Sequence, residues 1–105
     1  MIARTPKPPY YAVIFTSVLN TEADGYEMMA NKMQELAQRQ DGFLGIEAAR
    51  ENIGITVSYW KDEVSIRNWR QQTDHIMAQK LGKEKWYESF QVRVSIVERD
   101  YTSHI

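Results

Sequence analysis

The hydrophobic pattern changes period several times along the chain, and each change marks an element. Residues 1–9 carry no periodicity. Pro6, Pro8 and Pro9 remove backbone donors and favour extended chain, so this stretch reads as an N-terminal arm. Tyr10 to Leu19 is rich in β-branched and aromatic residues and predicts a strand. Alternation puts Tyr11, Val13 and Phe15 on one face and Ala12, Ile14 and Val18 on the other. A strand apolar on both sides needs cover on both sides. Two overlapping capping boxes, Thr21-x-x-Asp24 and Asp24-x-x-Glu27, predict a helix start. Tyr26, Met29, Ala30, Met33, Leu36 and Ala37 then recur at helical spacing, and Gly42 reads as the stop. Phe43–Glu51 and Ile53–Trp60 predict two strands joined near Glu51-Asn52 as an antiparallel hairpin.

Lys61 to Tyr87 reads as helix in two pieces, with Asp62 or Ser65 as a cap. Val64, Ile66 and Trp69 belong to a first short helix. Thr73-Asp74 reads as a fresh start, and Ile76, Met77, Lys80, Leu81 and Glu84 continue a second stretch closed by Trp86 and Tyr87. Phe90 to Tyr101 is the last strand, and residues 102–105 form a tail. Residues 10–101 thus make one domain of order β-α-β-β-α-β. This is the ferredoxin-like α+β arrangement, an antiparallel sheet with both helices on one face. Two right-handed crossovers are expected to put the first and last strands in the middle. The face left open is expected to carry Ala12, Ile14, Val18, Trp60 and Val97. An apolar face of that size predicts a homodimer packed sheet to sheet. Thr16, Thr56, Ser58, Gln91, Arg93 and Ser95 would give the space between the sheets the mixed lining of a ligand cavity.

Composition narrows the function. The chain has 105 residues, one domain's worth, and 43% are hydrophobic, which argues against disorder. Lys and Arg number 13 against 14 Asp and Glu, so charge gives no reason to expect nucleic acid or an anionic membrane as partner. There is no cysteine, which removes disulfides, thiolate metal sites and Cys nucleophiles. The two histidines, His75 and His104, stand far apart with no HxxxH spacing, so no metal is expected. A Gly-rich phosphate loop and a G-x-S-x-G elbow are both missing. No apolar run approaches the roughly 20 residues of a membrane span, and the N-terminus lacks the hydrophobic stretch of a secretory signal. The expectation is a soluble, cytoplasmic protein.

The run Ser58-Tyr59-Trp60-Lys61-Asp62, followed by Ile66-Arg67-Asn68-Trp69, His75, Ala78 to Lys83 and Trp86-Tyr87, resembles the antibiotic-biosynthesis-monooxygenase (ABM) family. Asp24-Gly25-Tyr26, Asp41 to Gly45 and the ending Val92-x-Val94-x-x-Val97-Glu98-Arg99 fit as well. The resemblance covers residues 10–101 and implies a dimeric α+β barrel. It also implies one of several activities. Some members oxidise phenols or quinols with O2 and no metal or flavin, some bind and degrade haem, some act on small signalling metabolites, and fold alone does not choose among them. In the haem-degrading relatives a ligand His lies ten residues beyond the helix Trp, where this chain has Gln79, and an Asn stands on the first strand, where it has Thr16 or Ser17. A cofactor-independent monooxygenase acting on a small aromatic is therefore the leading expectation. A haem protein and a non-catalytic small-molecule-binding or stress-response dimer are the alternatives.

The candidate residues follow from what such chemistry needs. His75 has the pKa range of a general base, and a place in the first turn after Thr73-Asp74 would keep its imidazole neutral. Arg93, read as sharing a face with Thr56, Ser58 and Ser95, is a candidate partner for a substrate anion, with Glu47 as an internal alternative. Tyr59, Trp60, Trp69 and Trp86 are candidate walls for a flat substrate, with Tyr87 beside them; plain core packing is the simpler reading for each.

Overall fold

A computed structural model describes residues 2–21, 25–79 and 86–103, without the side chains of residues 75–79. The elements follow as β1 (Tyr10–Leu19), α1 (Tyr26–Gln38), β2 (Phe43–Arg50), β3 (Gly54–Trp60), α2 (Glu63–Gln79) and β4 (Tyr87–Val97). The ferredoxin-like order is as the pattern predicts. The strand order is not. The sheet runs β2-β3-β1-β4, so β1 and β3 are central and β4 lies at an edge. Each crossover skips one place: β3 fits between β1 and β2, and β1 fits between β3 and β4. Both new neighbours of β1 run antiparallel to it.

Register fixes the faces. Tyr11 stands opposite Trp60, Val13 opposite Ser58 and Phe15 opposite Thr56; across β4 the same residues meet Ile96, Val94 and Val92. Tyr11, Val13 and Trp60 pack with Ala37 of α1 and Ile66 of α2, so this is the face the helices cover. Trp60, expected on the open face, is therefore a core residue, and Thr56 and Ser58 share its side. Arg93 stands opposite Ile14, which stands opposite Val57, so Arg93 lies on the open face apart from Thr56 and Ser58. The one-residue difference in parity moves a side chain across the sheet.

Local chemistry explains the element ends. Asp62 caps α2 by accepting the Ser65 N–H at 2.8 Å. α1 starts at Gly25, in the left-handed region at φ 82°, with no side-chain cap; Asp24, which both capping boxes need, lies outside the described residues. Gly42 does not end α1 directly. It takes φ 85° in the turn to β2, where a Cβ would strike the Ser65 side chain. α2 runs unbroken through Thr73, whose Oγ1 donates back to the carbonyls of Trp69 at 3.1 Å and Arg70 at 3.0 Å. A hydroxyl turned back along its own helix cannot cap a new one. His75 is thus late in one helix rather than in a first turn, and the argument from a nearby helix N-terminus falls with it. The expected second helical stretch lies partly outside the described residues. Tyr87 belongs to β4, paired with Leu19, not to a helix end.

The arm is not free. Ala3 N–H donates to Glu47 Oε2 at 2.9 Å, and Tyr59 donates to Glu47 Oε1 at 2.6 Å. Thr5 donates to the Tyr10 hydroxyl at 2.9 Å, which donates to Asp100 at 2.7 Å. Gly45 gives the arm room, since a Cβ there would meet Ala3 at 2.9 Å. Part of the open face is thereby covered from within the chain, and Tyr10 and Ala12 are buried.

Candidate functional site

Between the helix layer and the sheet lies a cleft of about 640 Å³. Its floor comes from alternate residues of the helix-side face: Val13 and Phe15 of β1, Thr56 and Ser58 of β3, and Phe90, Val92 and Val94 of β4. Ala30 and Met33 of α1 form one wall, and Ile66, Trp69 and Thr73 of α2 form the other. The cleft stays open over the edge strand, where Phe90, Val92 and Val94 keep 41%, 45% and 51% of their surface exposed. Thr56 and Ser58, expected to line a cavity between two sheets, line instead this cleft within a single chain, on the other side of the sheet.

One end of the cleft is aromatic and cationic. Arg50, last residue of β2, stands opposite Gly54 across the hairpin. Its guanidinium lies where a Gly54 Cβ would be, so the missing side chain makes its seat. Nη1 donates to the Ser17 carbonyl at 3.3 Å, while Nη2 donates to Ser17 Oγ and, at 3.3 Å, to the Tyr26 hydroxyl. The guanidinium carbon also sits 5.3 Å from the Tyr26 ring centre, within cation–π range. Tyr87 meets Tyr26 edge-on at 5.8 Å and Phe15 at 5.4 Å, and Phe15 stacks on Phe90 at 5.5 Å. Burial, and after it the neighbouring Tyr26 phenol, push the Tyr87 hydroxyl above the ordinary tyrosine range, while Arg50 pulls the other way. Tyr87 is therefore a neutral donor at any physiological pH. The opposite rim carries Glu63, Arg67, Arg70 and Asp74. Arg70 and Asp74 pair at 3.8 Å across one helical turn, both exposed.

Of the residues expected to form a site, the structure brings Trp69 and Tyr87 to the cleft. Trp60 has no exposed surface; it stacks on Trp69 at 6.1 Å and donates to Ser58 Oγ at 2.8 Å, which makes it the support of that wall. Trp86 is buried against Met29 in a separate small cluster. Tyr59 and Arg93 lie on the far side of the sheet. Tyr59 is committed to Glu47; burial, and after it that hydrogen bond, raise its hydroxyl to about 12. Glu47 is in turn held below its ordinary range by the Tyr59 hydroxyl and then the Ala3 N–H, so it is not the internal partner of Arg93. Arg93 itself is exposed. The His75 side chain lies outside the described residues, as does His104. Among the described residues no cluster of three or more metal-ligating side chains occurs, and no helix is long and apolar enough to cross a membrane.

Sequence reasoning missed Arg50 and Tyr26, which join Tyr87 in one cluster. A signal existed in Arg50-x-x-x-Gly54, a long cation facing a glycine across a tight hairpin.

A split-βαβ sheet roofed by two helices over an aromatic cleft defines a small ferredoxin-like α+β fold. The family model for antibiotic biosynthesis monooxygenase matches residues 9–81, and the chain belongs to that family. It is 49% identical over 100 residues to YqjZ, an uncharacterised protein of Bacillus subtilis, covering 93% of this chain and 88% of that one. It is 29% identical over 99 residues to a jasmonate monooxygenase of Pyricularia oryzae, covering 90% of this chain but 46% of that longer protein. The fold matches PA3566 of Pseudomonas aeruginosa with TM-score 0.67 at 15% identity, over 91% of this chain and 99% of that one. It also matches a Bordetella bronchiseptica protein provisionally assigned to the same family, with TM-score 0.64 at 19% identity, over 84% and 96%.

Proposed function

We propose that this protein is a cofactor-independent monooxygenase that oxidises a small phenol or quinol with O2 in the helix–sheet cleft, as a cytoplasmic homodimer. The observation that carries the proposal is the cleft itself: a mostly apolar floor broken by Thr56 and Ser58, a Trp69 wall, and charged groups at its ends. Family membership and the monooxygenase name of the Pyricularia relative support the same reading.

The chemistry asks for little. A base takes the phenolic proton, and the electron-rich anion passes one electron to O2, which avoids the spin barrier. The resulting radicals join at a ring carbon bearing hydrogen. Loss of water then leaves a quinone, so one oxygen atom enters the ring, the other leaves as water, and no external reductant is needed. The protein supplies a dry pocket, a base and a donor for the developing anion. His75, one residue beyond Asp74 in α2, is the proposed base. Tyr87, a permanent donor, and Trp69, a stacking wall, hold the ring.

The test is oxygen uptake with a panel of phenols and quinols, using chelator-treated protein. Uptake with matching quinone formation, lowered about 100-fold or more in His75→Ala, is the expected result. Uptake only after adding metal or haem would overturn cofactor independence. No uptake with any substrate would leave a binding protein.

A further inference from the structure

Resting on the reading of the cleft as the substrate site, we infer that Arg50 is a carboxylate anchor, so the natural ligand is a small acid with an apolar or aromatic body. Four observations meet at this residue. Its guanidinium lines the cleft end rather than pointing to open solvent. Its hydrogen-bond acceptors are all neutral: the Ser17 carbonyl and hydroxyl and the Tyr26 hydroxyl. These bonds use three of the five donors an arginine carries, and two remain. Among the described residues no carboxylate pairs with it; the ion pair they contain, Arg70–Asp74, is at the other rim.

A half-buried cation with no counter-charge among the described residues is costly, because the low-dielectric surroundings do not repay its lost hydration. The seat is nonetheless built. Gly54 gives up its side chain to make room, and Ser17, itself buried, fixes the fork from behind. Both Nη2 hydrogens are taken, so the groups left are Nε–H and one Nη1–H; a carboxylate oxygen meets one of them and is held beyond that by the charge. Tyr26, Tyr87, Phe15 and Phe90 exclude water beside it and favour an apolar or aryl body for the ligand. The opposite rim, with Glu63 and Asp74 beside Arg67 and Arg70, is mixed in sign and already paired in part, so it offers an anion no comparable seat. A guanidinium stays charged across the physiological range, so the preference for an acid is expected to be the same at pH 6 and pH 9.

The experiment is calorimetric titration of the intact protein with 4-phenylbutyrate and with its neutral isostere 4-phenylbutyramide. The expected result is that the acid binds about 10- to 100-fold more tightly than the amide, with equal preference at pH 6 and pH 9. Arg50→Gln is expected to abolish the preference by weakening the acid far more than the amide, and Arg50→Lys to restore part of it. If Arg50→Gln fails to fold, the arginine Nε–Hε resonances of the wild-type protein carry the test: one of them moves on adding acid and none on adding amide. Equal binding of acid and amide overturns the proposal. So do a preference that survives Arg50→Gln, a preference lost between pH 6 and pH 9, and failure of both compounds to bind at millimolar concentration. Oxygen uptake is not a readout here. Acid preference without turnover of any phenol keeps the anchor and removes the oxygenase; turnover without acid preference does the reverse.

Discussion

Trp60 and Trp69 stack on one another yet do different work, and truncation separates them. Trp60 is fully buried between Ala37, Ile66 and the sheet, so Trp60→Ala opens a large void and is expected to cost about 3–5 kcal/mol, seen as a large fall in melting temperature. Trp69 faces the cleft on one side, so Trp69→Ala is expected to cost about 1–2 kcal/mol while weakening any cleft ligand. If Trp69→Ala proves the costlier change, the placement of the cleft wall is wrong. Gly54 is a sharper probe. Alanine ordinarily improves a strand position, but here its methyl takes the space of the Arg50 guanidinium. Gly54→Ala is expected to destabilise by about 1–3 kcal/mol, read from chemical denaturation, and to release Arg50 from Ser17. A neutral or stabilising result would show that the guanidinium moves aside freely. At this scale the sequence was legible in kind and less so in place. Its aromatic wealth pointed to stacking, and Trp69 does line the cleft. Trp60, Trp86 and Tyr59 looked identical to it in the sequence, because residue type says nothing of which neighbours remove water.

At the scale of elements the periodicities carried most of the fold: the first helix, the hairpin and the order β-α-β-β-α-β stand where the hydrophobic pattern put them. What misled was side-chain chemistry with two meanings. Thr73-Asp74 has the composition of a helix start, yet Thr73 bonds back into its own helix and α2 continues. Thr73→Ala decides between the two. In a continuous helix alanine is the better residue, so the expected outcome is a gain of about 0.5 kcal/mol with helical circular dichroism unchanged or stronger. Loss of a true N-cap would instead cost about 1 kcal/mol. The strand faces went astray by one residue of parity, which suffices to exchange core for surface. Trp60 changed sides for that reason. Arg93 kept the open face while its supposed companions Thr56 and Ser58 went to the other.

At the scale of the whole molecule the arm and the open face were least legible, because the contact that joins them spans 44 residues and leaves no trace in local periodicity. Glu47 is its centre, accepting from the arm at Ala3 and from the sheet at Tyr59. Its carboxyl titrates below the ordinary value of 4.5 when folded. A depressed acid contributes stability above its unfolded pKa, and that contribution is lost as pH falls through the folded value. Tyr59 works in the opposite sense. Its hydroxyl is raised from 10.0 to about 12, so its contribution is complete below pH 10 and disappears as pH rises through 12. The melting-temperature difference between wild type and Glu47→Gln should therefore be flat from about pH 6 to pH 9, correspond to on the order of 1 kcal/mol there, and shrink towards zero below pH 4. The difference between wild type and Tyr59→Phe should hold at neutral pH and close between pH 10 and pH 12. If both differences were independent of pH, Glu47 would not be the charged link between arm and sheet. The same docking bears on the proposed dimer. Since the arm shields part of the open face, a sheet-to-sheet partner must pack beside the arm or displace it. Light scattering of Glu47→Gln against wild type at micromolar concentration separates these cases: an arm that competes with the partner gives a tighter dimer when loosened, and an arm that forms part of the interface gives a weaker one.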